Sequence, residues 1–159
     1  MSVKGRKCGS FLQIWDRNRK KEKQRMSKYV DKAKVLRADT RIHYNCAQAV
    51  VLPFAEDAGL SEEMAMRVSA NFGAGMRRAS VCGAITGGLM ALGLFGLDDP
   101  AAANEYHRRL RERHEGHLDC ADLLRINKEQ GREKKPHCDD MVFECVELVE
   151  TMLREKGLL

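Results

Sequence analysis

No stretch of this 159-residue chain alternates apolar and polar residues over the length of a strand, so nothing in it reads as a half-buried β-strand. Nothing repeats at a period of roughly 20–50 residues, which excludes solenoids and propellers. GxGxxG, HExxH and GxxxxGK followed by Ser or Thr are all absent, so nucleotide binding and zinc-protease chemistry have no support. There is no Cys-x-x-Cys pair, although the chain has six cysteines. That spacing is what a thioredoxin-like motif or a zinc ribbon requires. The basic N-terminus has no hydrophobic region of signal-peptide length. Its apolar patch, Phe11 to Trp15, is short, is broken by Gln13 and is followed by no small-residue cleavage site, so no export signal is read. Six cysteines without such a signal point to a reducing, cytoplasmic setting, where thiols serve as structural groups, metal ligands or redox groups.

The charge is unevenly placed. The net charge is +5, yet residues 1–25 hold nine of the 28 Lys and Arg and only two of the 23 acids. The other 19 basic and 21 acidic residues leave the body nearly neutral. This is not the composition of a fold that binds nucleic acid across its surface. Residues 1–25 have little periodicity and read as a disordered leader, or as no part of the natural protein, which then begins at Met26. Lys21-Glu22 can be encoded AAG-GAG, which resembles a bacterial ribosome-binding site three codons ahead of Met26.

What the chain does have is helical patterning around one uncharged run, Ala79 to Leu97. Its apolar part, Val81–Leu97, is expected to be a central helix buried on most sides. It falls just short of the roughly 18 residues of a membrane span and is rich in glycine, so no span is expected. Each glycine costs a helix interior about 1 kcal/mol against alanine. Close approach of another backbone or of a bound group would compensate, which makes Gly83 and Gly87 candidate cofactor-binding positions. Ser27, Asn45, Ser61 and Asp99 are placed to cap helices over 27–38, 46–58, 62–72 and 100–115, with Pro53 predicting a kink in the second. Met64, Val68 and Phe72 are expected to supply the buried face of the third. Asp119 precedes a short helix over 120–126, residues 127–135 read as a solvated loop, and Pro136 opens the last helix. The fold class is all-α, a compact bundle forming one domain over residues 26–159.

Cys46, Cys82, Cys120 and Cys138 each fall in the first turn of a predicted helix. Free backbone amides and the positive dipole end favour a thiolate there, the form that reacts and binds metal. Their spacings, 36, 38 and 18 residues, give no metal identity, so a shared site must be assembled by the fold. Cys145 lies mid-helix in line with Met141, Leu148 and Met152 and reads as core. Cys8 lies in the leader.

These residues carry a resemblance. NCAQAV at 45–50, GLSEE at 59–63, FGAGM at 72–76, CGAITG at 82–87, CADLL from Cys120 and the Cys138 helix occur in the order found in the C_GCAxxG_C_C family of redox-active proteins. The resemblance covers roughly Tyr29 to Leu153. It implies an α-helical fold, a redox role and a site made of Cys46, Cys82, Cys120 and Cys138. Similar proteins tend to have Gly where Ala74 stands, and a Gly-Arg-Gly-like continuation where this chain has Arg77-Arg78-Ala79.

Beside the cysteines, His43 is placed to stabilise the Cys46 thiolate, and His117-x-x-Cys120 has the spacing of two zinc ligands. His107, His114 and His137 read as surface histidines. Arg77 and Arg78 read as a solvated pair or a holder for an anion. The expected function is that of a small redox protein. Its four cysteines either hold an iron–sulfur or other metal cluster for electron transfer, which their wide spacing and number favour, or exchange disulfides with a redox partner protein, which the missing Cys-x-x-Cys disfavours. A structural zinc or scaffold module without turnover is the alternative. Neither nucleic acid nor a membrane span is expected among its partners, and a homo-oligomer is compatible with the sequence. Removing residues 1–25 is expected to leave fold and chemistry intact, because the leader lacks the apolar periodicity to dock. A clear fall in melting temperature on truncation would show that it packs on the body.

Overall fold

The structure, a computed structural model, describes residues 27–159. The expectations for the leader, Cys8 and Met26 lie outside the described residues. The fold is all-α. Seven α-helices run in order: α1 Lys28–Ala38, α2 Cys46–Ala55, α3 Glu62–Ser69, α4 Gly83–Leu94, α5 Pro100–Arg113, α6 Cys120–Glu129 and α7 Lys134–Glu155. The only extended pairing among the described residues is an isolated antiparallel bridge between Val81 and Asp119. No described helix is long and apolar enough to cross a membrane.

Local chemistry sets the helix starts. Ser27 Oγ accepts from the Val30 amide at 3.2 Å, Ser61 Oγ from Met64 at 3.2 Å and Asp99 Oδ1 from Ala102 at 2.9 Å. Asn45 and Gln48 form a reciprocal capping box. Asn45 Oδ1 accepts from the Gln48 amide at 2.9 Å, and Gln48 Oε1 accepts from the Asn45 amide at 3.0 Å. Pro53 does not break α2. It lies in the last turn of α2, which ends at Ala55 rather than running on to 58, and a turn then leads to a left-handed Gly59 (φ 72°).

The helix buried on every side is α2, from Ala47 through Ala55. It packs against α1, α3, α4 and α7. The 81–97 run is helical only over Gly83–Leu94. It buries Gly83, Ala84, Ile85, Gly87, Gly88, Ala91 and Leu92, while Gly93 is exposed and Thr86, Leu89, Met90 and Leu94 are half-buried. Its glycines let other groups come close. A Cβ at Gly87 would stand 2.8 Å from the Ala47 carbonyl oxygen of α2, and one at Gly88 would stand 1.9 Å from the Tyr106 hydroxyl of α5. Aromatic packing ties α1 to this core. Tyr29 stacks on Phe54 with ring centroids 4.4 Å apart, and Phe95 meets Phe54 edge-on at 6.2 Å.

Three other expectations are corrected. The buried face of α3 is Ala65 and Ser69, whereas Met64 and Val68 are exposed and Phe72 is half-buried in the following 3-10 turn. α6 runs on to Glu129, into what read as a solvated loop. Asn127 is buried there, and its Nδ2 donates to the Arg132 and Glu133 carbonyls at 3.0 and 3.1 Å. α7 opens at Lys134, so Pro136 is its third residue. Pro is tolerated there because the first-turn amides have no intrahelical partner.

The segment between α3 and α4 departs most from the pattern. Ala74 (φ 51°, ψ 40°), Gly75 (φ 60°), Met76 (φ 55°, ψ 37°) and Arg77 (φ 58°, ψ 16°) form a left-handed turn, and Ala79 is left-handed again at φ 59°. For L-residues this conformation costs about 1–2 kcal/mol each. Three substitutions test the packing and the strain by thermal melting. Gly87→Ala is expected to cost about 1–3 kcal/mol, because the Ala47 backbone cannot move aside. Ala74→Gly and Ala79→Gly are each expected to raise the melting temperature by relieving strain, and a fall in either would mean that the turn is not left-handed.

Candidate functional site

The four cysteines come from four separate places and line one cleft of about 760 Å³. Cys46 is the first residue of α2, fixed by the capping box around Asn45. Asn45 Nδ2 also donates to the Ala70 carbonyl at 3.0 Å, which ties the α2 start to the end of α3. Gly83, the first residue of α4, lies against the same point. A Cβ there would be 2.7 Å from the Phe72 carbonyl oxygen and 3.3 Å from Cys46 Cβ. The missing side chain at Gly83 thus lets Cys82 sit beside Cys46.

Cys82 and Cys120 are brought together by the bridge. The Cys82 amide donates to the Leu118 carbonyl at 2.9 Å, and the Cys120 amide donates to the Ser80 carbonyl at 2.7 Å. Two residues placed diagonally across an antiparallel pair face the same side, about 7–8 Å apart. The left-handed turn presses on this junction. A Cβ at Gly75 would be 2.9 Å from Cys120 Cβ and 2.4 Å from the Ser80 carbonyl oxygen. Cys138 enters from α7, next to Cys46. All five cysteines among the described residues, Cys145 included, are free thiols.

The thiols are not alike, and the expectation of four helix-start thiolates is corrected. Only Cys46 is held below the usual thiol range. Hydrogen bonding from the Cys138 thiol is the main cause, helped by the Arg37 charge and opposed by burial and by Cys82. Cys138 is pushed well up, because it donates that bond and is itself partly buried. It is also the fifth residue of α7, beyond the free amides of the first turn. Cys82 is pushed up to about 11 by burial, which outweighs the Ala84 and Ile85 amides at the α4 start. Burial raises Cys120 too, with a contribution from Cys138. Cys46 and Cys138 thus shift in opposite directions, Cys46 downward and Cys138 upward, each through the other.

Arg37 was missed in the sequence, where it is one cation among many. It is nearly buried, donating from Nε to Asp139 at 2.6 Å and from NH1 to the Tyr44 carbonyl at 2.8 Å, so its charge is fixed at the cleft. Lys134 and Lys135 at the α7 start line the cleft as well, as do His43, Arg77 and His137. Gly83 lines it. Gly87 does not, and lies against α2 instead. His114 pairs with Glu144 at 2.8 Å, and His117 lies 3.7 Å from Asp122, both away from the cleft. Cys145 is fully buried in the main core.

Four cysteines are the ligand count of an iron–sulfur cluster or a structural zinc. Among the described residues, however, no three His, Cys, Asp or Glu side chains are grouped so as to hold a metal ion. What the cleft does bring together is a pair of interacting thiols, Cys46 and Cys138, with Cys82 and Cys120 beside them.

A family model described as Putative redox-active protein (C_GCAxxG_C_C) matches residues 44–152. No curated protein and no solved structure matches the chain.

The Cys46–Cys138 contact makes a pH-dependent prediction. A lowered Cys46 keeps its thiolate at pH values where an ordinary thiol is protonated. The rate of Cys46 alkylation by iodoacetamide, followed by mass spectrometry, is therefore expected to reach its midpoint below that of an unperturbed cysteine. Cys138→Ala removes the donor and is expected to move that midpoint upward. An unchanged midpoint would sever the link between the two thiols.

Proposed function

The chain belongs to the C_GCAxxG_C_C family, described as Putative redox-active protein, and from that premise we propose that it exchanges thiols for disulfides, with Cys46 as the attacking thiolate and Cys138 as the resolving thiol. The observation that supports this reading is the meeting of Cys46 and Cys138, one shifted down and the other up through their interaction, inside an open cleft lined by four cysteines.

The chemistry follows from the pair. The Cys46 thiolate attacks one sulfur of a disulfide; its S–S bond breaks and a thiolate leaves. The leaving thiolate takes the proton of Cys138. The Cys138 thiolate so formed attacks the Cys46 sulfur of the mixed disulfide, closing a Cys46–Cys138 bond and releasing the second thiolate. Two electrons pass from the protein dithiol to the substrate disulfide. Arg37, beside both thiols, stabilises whichever one is charged. Cys82 and Cys120, diagonal across the bridge, line the same cleft as further thiols beside this pair.

The test is anaerobic purification with iron, zinc and sulfide analysis, then titration of free thiols against an added disulfide in the wild type and in single variants. The expected outcome is a colourless, metal-free protein that loses thiols in pairs, Cys46 with Cys138 first. Cys46→Ser and Cys138→Ser abolish the first pair, since serine cannot form a disulfide. Cys145→Ala leaves the titration unchanged and costs only modest stability, from a lost sulfur in the core. A brown protein with iron and sulfide, or stoichiometric zinc lost on replacing any of the four, would establish a metal-bound site in place of the dithiol.

A further inference from the structure

The cleft is shaped and charged for a particular kind of disulfide. Four cations line it, Arg37, Arg77, Lys134 and Lys135, against one carboxylate, Asp39. Asp39 is turned to Arg41, accepting from its amide at 2.8 Å and pairing with its guanidinium at 3.3 Å. Arg37 and Lys135 share Asp139, at 2.6 and 2.7 Å. Arg77 and Lys134 form no ion pair among the described residues, and both are exposed side chains that line the cleft. Arg77 approaches on the turn that packs against Cys120, and Lys134 on the first turn of the helix that carries Cys138.

The placement of Arg77 is bought with strain. It sits in the left-handed region together with Ala74, Met76 and Ala79, although only glycine adopts that conformation without steric cost. Strain of this kind persists where the surrounding structure over-determines it, and it clusters at ligand clamps and active sites. Here the turn is fixed from inside by the Ser80 amide and hydroxyl, which donate to the Gly75 carbonyl at 3.0 and 2.9 Å. The volume, about 760 Å³, lies within the roughly 300–1,000 Å³ of small-molecule sites.

The geometry points to a small disulfide carrying carboxylates as the substrate class, its anionic groups held by Arg77 and Lys134 at the cleft while its sulfur meets Cys46. This inference rests on the dithiol reading above and adds the substrate to it. The step is the exchange already balanced: the substrate disulfide is the oxidant, and it leaves as two carboxylated thiols.

The experiment uses the reduced full chain and three probes: dithiodipropionate, which is anionic, hydroxyethyl disulfide, which is neutral, and cystamine, which is cationic. Each single-turnover rate is divided by the rate of the same probe with free dithiothreitol, which cancels differences in leaving group. The anionic probe is expected to have the highest normalised rate, with a preference that shrinks as salt is added. Arg77→Gln and Lys134→Gln are each expected to cut the preference roughly threefold or more, while Arg67→Gln, a surface cation outside the cleft, leaves it unchanged. Equal rates for the three probes, a cationic preference, or a preference untouched by both variants would overturn the substrate class and leave the dithiol reading standing. No exchange with any probe would remove the dithiol reading, and the substrate class with it.

Discussion

The junction of α2 with α4 governs the rest of the molecule. Two helices can meet with their backbones nearly touching only where one of them has no side chain, and α4 supplies Gly83 and Gly87 at the points of contact with the Phe72 carbonyl, Cys46 and Ala47. That approach buries α2 on every side and fixes the starts of both helices together. Cys46 and Cys82 are residues of those starts, so their proximity follows from packing and needs no bond between them. The same junction leaves one end of the bundle open, and the cleft is that opening.

The electrostatics of the cleft follow from burial as much as from helix dipoles. A helix start favours a thiolate by partial charges on a few amides, an effect confined to the first turn. Removing a thiolate from water opposes it, and at Cys82 burial wins. Cys46 escapes because it gains two specific partners, the Cys138 thiol and the Arg37 charge. Arg37 in turn is held by Asp139 and the Tyr44 carbonyl. A thiol pair with unequal acidity therefore depends on side chains from α1, α2 and α7 that are far apart along the chain.

The left-handed turn is the costliest local feature and the least expected one. Ala74, Met76, Arg77 and Ala79 all carry a Cβ that disfavours positive φ. The chain keeps the conformation without glycine at these positions. The Gly75 carbonyl accepts two bonds from Ser80, and Gly75 itself leaves room for Cys120. The strain is thus tied to the same junction that sets Cys82 and Cys120 side by side.

The sequence by itself determined the helices and most of their starts, and it singled out the four cysteines that line one cleft. Caps at Ser27, Asn45, Ser61 and Asp99 act over three residues, and so can be read locally. Tertiary structure decided what depends on distant neighbours. It exposed Met64 and Val68 because α3 meets α2 through the smaller Ala65 and Ser69. It ran α7 back to Lys134 and so carried Cys138 past the free amides. It made Cys46 the more acidic thiol and Arg37 its fixed cation, which no spacing along the chain encodes. Thiol acidity is a balance of desolvation against a few close charges and hydrogen-bond donors, and only the packed fold sets those distances.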